Sequence, residues 1–340
     1  MMKYKFILGY LIAANTLLAQ YNSNVSNVAT TAAPFLEIGI GSRAIGMGGA
    51  FVATANDASA MYWNPAGLGK LNSAELIFVH TQWLADITFQ YAGAILPIRG
   101  LGTLGASITT MNMGEMEVRT VDMQEGTGEF FDASDMALAL SYGFSLTDRF
   151  ALGISVKYLL QRIWKESAQG FAIDIGTIYQ TGIRGLRLGA ALTNFGTDMQ
   201  MQGNDLLVYH DIDPNNGGNN DRLFAEMQTQ AWPLPLNFQL GVAMDIIQNQ
   251  VHRLTLAADA IHPIDNRESV HLGTEYALQE RYFLRLGYRS LFLHDSEEGL
   301  TAGGGISTFL LGNFRVSIDY AYADFGRLQN AQRFSINLRF

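Results

Sequence analysis

The sequence predicts an all-β fold: a transmembrane antiparallel up-and-down β-barrel of about 14 strands, with an N-terminal plug, or hatch, of short helices and turns inside the lumen. Three observations predict it. From residue 73 to the last residue, blocks of about ten residues alternate apolar and polar side chains, the period of a strand with one greasy and one wet face. The connections between the blocks alternate short and long, as periplasmic turns and outer loops do. Residues 39–71 alone break the alternation.

With 340 residues the chain is long enough for one large all-β domain or two ordinary ones. The 35 glycines, 11% aromatic residues and 16% charged residues suit many strands joined by turns. Residues 1–19 read as a secretory signal peptide: Lys3 and Lys5 precede an apolar run over 6–14, and Ala19 offers a small residue for cleavage. That run is shorter than the roughly 20 residues a spanning helix needs. Without cysteine, a lipoprotein anchor and a disulfide framework are both excluded. No later window is apolar for long enough to be a membrane helix. The net charge of -9 argues against nucleic acid as a partner. The address expected is the bacterial outer membrane, with its lipid as the first partner.

In chain order, residues 20–38 form a polar leader, 39–72 the plug and 73–340 the barrel. The plug holds seven glycines, among them Gly46, Gly48 and Gly49, few charges, among them Asp57, and the compact turn Asn64, Pro65, Ala66, Gly67. Glycine permits close backbone approach, and Pro65 lacks the N–H that a strand ladder requires. Strands are expected over 73–80, 86–98, 103–113, 134–146, 150–162, 170–180, 186–195, 234–247, 251–261, 269–278, 281–290, 300–311, 314–324 and 331–340. The pattern is clearest at the end, where Phe334, Ile336, Leu338 and Phe340 face one way and Arg333, Ser335, Asn337 and Arg339 the other. Tight turns are expected at 99–102, 147–149, 181–185, 248–250, 279–280 and 312–313, and the longest outer loop over 196–233. Tyr62, Trp63, Trp83, Trp164, Tyr282 and Tyr320 are candidates for the aromatic girdles at the membrane interfaces.

Residues 39–71 also resemble the N-terminal signature of the PorV/PorQ family, one of the FadL-like outer-membrane barrels. The matching parts are Ser42-Arg43-Ala44, Gly46-Met47-Gly48-Gly49-Ala50, Asn56-Asp57-Ala58-Ser59-Ala60 and Tyr62-Trp63-Asn64-Pro65-Ala66-Gly67-Leu68. The resemblance implies a fourteen-strand barrel with its N-terminal segment folded in the lumen as a hatch. It implies a type IX secretion component that binds the C-terminal signal domain of exported cargo at the outer surface and hands it to other components. The alternative it carries is a FadL-like transporter passing hydrophobic small molecules past the hatch. The closing Arg339-Phe340 looks like the terminal signal read by the barrel-assembly machinery, with Phe340 as its last residue.

Enzyme motifs are missing: there is no H-E-x-x-H, no G-x-S-x-G and no P-loop lysine. No enzymatic activity, cofactor or metal is therefore expected. Gly39, Gly41 and Ala44 brush against a dinucleotide fingerprint but lack its βαβ context. The six histidines, His80, His210, His252, His262, His271 and His294, have no ligand spacing. Asp211, Asp213 and Asn215 open like a calcium loop, but Asn216 replaces its turn glycine and Arg222 its bidentate glutamate. Charges expected to face the lumen are Lys157, Asp174, Arg187, Asp245, Arg253, Asp259, Glu275, Arg285, Arg289, Arg315, Asp319, Arg333 and Arg339. Buried charge is costly unless paired, so these should pair across strands and with Arg43 and Asp57 of the plug. Hydrophobic ligand contacts, if the lumen takes such a molecule, would be Met47, Phe51, Met61, Tyr62 and Trp63, beside Ile45.

Overall fold

The computed structural model describes residues 27–183, 185–213, 215, 220, 222–294, 296–310 and 314–340. The signal peptide expected over 1–19 lies outside the described residues. The strands in chain order are β1 (Glu75–Gln82), β2 (Thr88–Ile98), β3 (Gly102–Glu117), β4 (Phe130–Ser145), β5 (Phe150–Ile163), β6 (Glu166–Gln180) and β7 (Arg187–Gly196). There follow three short strands, β8 (Gln202–Gly203), β9 (Leu207–His210) and β10 (Leu223–Glu226). The series resumes with β11 (Asn237–Gln248), β12 (His252–Pro263), β13 (Ser269–Leu278), β14 (Tyr282–Leu291), β15 (Leu300–Leu310), β16 (Phe314–Asp324) and β17 (Asn330–Arg339).

Fourteen of these strands close into one antiparallel barrel, each beside its chain neighbour, with β7 meeting β11 and β17 returning to β1. Each stands where the alternation predicts a strand. Phe334 and Ile336 face outward, whereas Arg333 and Ser335 are buried in the lumen. Ile154 and Val156 against Ser155 and Lys157 repeat that division on β5. A wall apolar outside and polar inside is the inverse of a soluble barrel and matches hydrocarbon around it.

The alternation of turn lengths fails at one place. β5 and β6 are joined by Trp164 and Lys165 alone, at the end that carries the longer connections. The polar run 166–169 continues the strand period instead, with Ala168 inward and Gln169 outward, so no loop is needed. β3 and β4 also extend beyond the expected ends, past a bulge between Asn112 and Glu115.

The hydrophobic core lies in the hatch, not between sheets. The described part of the hatch segment lies first at the outer end, where the Ala32 N–H donates to Pro233 and the Ala33 N–H to Gln161. It passes through a 3₁₀ turn (Pro34–Glu37), α1 (Ser42–Gly46), α2 (Ala60–Trp63) and a second 3₁₀ turn (Pro65–Lys70) before entering β1 at the short-turn end. The lumen filling thus begins upstream of residue 39, since Phe35, Leu36 and Ile38 are already buried. Asn64 caps the last turn by accepting from the Ala66 N–H, and Pro65 supplies its first position.

Hatch backbone meets wall backbone directly, and glycine makes that approach possible. Gly48 has φ +68°, and a Cβ on it would lie 2.5 Å from the Leu272 carbonyl oxygen of β13. On the opposite wall a Cβ on Gly153 would lie 2.1 Å from the Pro65 carbonyl carbon.

Candidate functional site: the hatch lock, the outer cavity and the outer hairpin

Glu275 on β13 is the centre of the lock. Its oxygens accept from Arg43 of the hatch at 2.8 and 3.1 Å, from Arg253 at 2.9 Å and from Arg285 at 2.7 Å. Arg285 reaches on to Asp319 at 2.6 Å, and Arg43 to Asp57 at 3.0 Å. Burial alone would lower the pKa of Arg43, but the Glu275 and Asp57 carboxylates outweigh it and hold it above the ordinary value. The hatch arginine is therefore charged at every physiological pH.

Two further wall acids take hatch backbone. Asp259 accepts from the Phe51 and Val52 N–H groups at 2.7 and 2.9 Å. Glu75 accepts from the Ala58 N–H at 3.0 Å and from Arg339 Nε at 2.6 Å. Elsewhere Lys157 pairs with Asp174 at 2.7 Å and Arg187 with Asp245 at 2.8 Å. The expected cross-strand and hatch pairings are therefore present for most of the lumen charges. Glu75, Glu298 and Asn194, which holds Lys157 at 2.8 Å, were not anticipated. The alternation of β1 places Glu75 inward with Ile77 and Val79, so its signal was in the sequence.

The predicted plug residues gather in the lumen. Gly46 packs on Gly303, Gly49 on His271, Gly67 on the Ala55 carbonyl, and Asn64 donates to Val52 and Thr177. The predicted apolar contacts divide. Met47, Phe51 and Met61 are fully packed under the hatch or against the wall, as is Ile45, and only Tyr62 and Trp63 border open space. Tyr62 and Trp63 are therefore hatch residues, not girdle residues. Trp63 donates its indole N–H to Ile40 and meets Tyr62 edge-on at 5.1 Å. Tyr282 and Tyr320 do face outward. Phe340 packs tilted against Phe314 at 5.0 Å and ties its N–H to the Ala74 carbonyl.

The open space is a cavity of about 560 Å³ between the hatch and the outer loops, bordered by Glu37, Tyr62, Trp63, Ile261, His271 and Arg289 among others. A smaller space of about 160 Å³ lies on the short-turn side, among Arg43, Arg253, Arg285 and Arg339 and their acids. The hatch separates the two. Burial, with the Asp265 and Glu298 carboxylates adding to it, pushes Glu37 up to about 7 from 4.5. A carboxyl raised in the folded state stabilises it fully below the unfolded value, and that stability is lost as pH rises through about 7. Amide exchange over 35–38, corrected for intrinsic rates, should therefore quicken between about pH 5 and 7. In Glu37→Gln that dependence should flatten; an unchanged profile would assign it to another group.

Above the cavity stands the long loop. Its stem is tied by the Met199–Trp232 bridge and by Gln200 and Thr229, with Met199 and Leu234 buried. Its arm is the β9–β10 hairpin, on which the Tyr209 and Phe224 rings meet at 4.9 Å, tilted, while 65% and 73% exposed. Among the described residues no group of three or more His, Cys, Asp or Glu could hold a metal ion.

A closed fourteen-strand barrel with a lipid-facing exterior and an internal hatch defines a bacterial outer-membrane protein with a FadL-like fold. Solved structures share the fold. The CymD monoaromatic hydrocarbon channel superposes with a TM-score of 0.55 at 12% identity, over 89% of this chain and 97% of that one. The Ralstonia pickettii toluene transporter TbuX gives 0.54 at 13%, over 88% and 97%. A Pseudomonas aeruginosa FadL homologue gives 0.52 at 13%, over 88% and 97%. Comparison with curated proteins gives no match. The family described as type IX secretion system protein PorV matches residues 20–199, more than half of the chain. The chain belongs to the PorV family, as the signature in residues 39–71 led one to expect. That family and the channels of this fold serve secretion and transport, not enzymatic catalysis.

Proposed function

We propose that this barrel is a type IX secretion component that holds exported proteins by their C-terminal signal domains on its outer loops. The observation carrying this reading is the contrast between a lumen filled by a locked hatch and an outer hairpin that leaves Tyr209, Ile212 and Phe224 exposed. Contiguous exposed apolar side chains mark interaction surfaces. A two-stranded hairpin whose edges are unpaired among the described residues also suits strand addition by a β-rich cargo domain. Assembly into the membrane is assigned to the barrel-assembly machinery reading the terminal Phe340.

The second reading, passage of hydrophobic small molecules, is favoured by the outer cavity, where Leu36, Tyr62, Trp63 and Ile261 offer an apolar side. Its first contacts would be Tyr62 and Trp63, with Met47, Phe51 and Met61 reached only if the hatch moves. Replacing residues 204–228 with a short Gly/Ser link spares the tied stem. Cells carrying that variant should retain cargo sharing a C-terminal domain while the barrel accumulates normally. Undiminished export would eliminate the cargo-holding reading.

A further inference from the structure

Among the described residues, the buried arginines of this lumen are paired with carboxylates, with one exception. Arg43, Arg253 and Arg285 share Glu275, and Arg187 has Asp245. Arg333 on β17 is 0% exposed, yet among the described residues none of its three guanidinium nitrogens has a hydrogen-bond partner. Among the described residues its one directed contact is the Trp83 indole face, 5.2 Å from the guanidinium carbon. A ring face offers a cation far less than a carboxylate does. Opposite it on β1, the Thr81 hydroxyl is also buried without a partner.

Arg289 on β14 adds to the surplus. Its Nη2 pairs with Glu298 at 3.0 Å, but its Nε and Nη1 are buried and unpartnered. Glu298 also takes the Ser290 hydroxyl at 2.5 Å, so its carboxylate is shared between that hydroxyl and Arg289. Tyr62, Arg289 and Glu298 border the outer cavity, and both guanidinium groups act electrostatically on Tyr62 and on Glu298. On the two strands between them the inward positions are small, Thr301 and Gly303 on β15 and Ala321 and Ala323 on β16, and α1 of the hatch packs over them, with Gly46 on Gly303. A buried charge without a counter-charge is costly.

We propose that Arg333 and the unpaired edge of Arg289 form an oxyanion-binding subsite in the β14–β17 wall, taking one carboxylate or phosphate group. Two planar forks with five free N–H-bearing nitrogens suit a bidentate oxyanion and not a halide. The inference stands apart from the choice of partner for the outer loops. The group can belong to a lipid headgroup or to a free anion, and the two sources give different results.

The test uses the full-length barrel in detergent, titrated with inorganic phosphate and with octanoate against chloride of equal ionic strength, read by tryptophan fluorescence because Trp83 lies on Arg333. Saturable binding is expected, weakened about 10- to 100-fold in Arg333→Gln and less in Arg289→Gln. Arg333→Lys keeps the charge but loses the fork, and should bind about 10-fold more weakly if Arg333→Gln does not fold. Native mass spectrometry separates the sources. A stoichiometric anionic lipid lost in the variants identifies a headgroup; binding of the added anions with no retained lipid identifies a free anion. Variants that respond like the wild type, or a wild type with neither lipid nor saturable binding, would overturn the subsite.

Discussion

Glu275→Gln is expected to loosen the N-terminal half of the hatch more than any other single change in the lumen. Three arginines meet at this one carboxylate, two from the wall and one from the hatch. Removing one partner of a buried ion pair costs about 3–5 kcal/mol, because the remaining charge stays desolvated. The low end, about 3 kcal/mol, is expected here, since Asp57, Asp319 and Glu280 still hold Arg43, Arg285 and Arg253. Hydrogen exchange should accelerate across residues 42–58 and leave the barrel strands protected. Glu280→Gln is the control, because its exposed pair with Arg253 contributes only about 0–1 kcal/mol. Equal protection in the Glu275 variant and the wild type would mean that packing alone seats the hatch.

Gly153→Val acts at the other half. A Cβ at this position falls inside the backbone of Pro65 and Ala66, and neither neighbour is the movable end of a side chain. Overpacking typically costs about 1–3 kcal/mol, and a backbone clash belongs at or above the top of that range. The turn over 64–70 should separate from β4 and β5 and become sensitive to added protease. Ile154→Val, one residue along and facing lipid, should leave it protected. A protected turn in Gly153→Val would show that the wall gives way instead.

The barrel was legible because one physical constraint repeats fourteen times. Lipid outside and polar filling inside force a period of two, and Phe334, Ile336 against Arg333, Ser335 is as plain in the sequence as in the fold. The hatch signature was legible too, since glycine runs and Asn64-Pro65 cannot join a ladder. Which charge meets which was not, because pairing depends on shear and on bulges such as that between Val270 and Leu272. The wall glycines facing the hatch were overlooked although their signal is linear. Gly153, Gly189, Gly241, Gly273 and Gly287 each follow a leucine in a strand, and Gly153 pairs with Gly143 and Gly176 across its neighbours. Tyr62 and Trp63 looked like girdle residues because aromatic composition does not tell a membrane interface from the inside of a plug.

Cargo holding by a hatch-closed barrel is tested most directly by affinity capture of the detergent-solubilised protein, with mass spectrometry of both the proteins and the lipids that accompany it. Recovery of exported proteins sharing a C-terminal domain, and their loss when residues 204–228 are replaced, is the result predicted. A stoichiometric apolar molecule with no protein partner would contradict it and make the lumen, not the outer hairpin, the working part of the molecule.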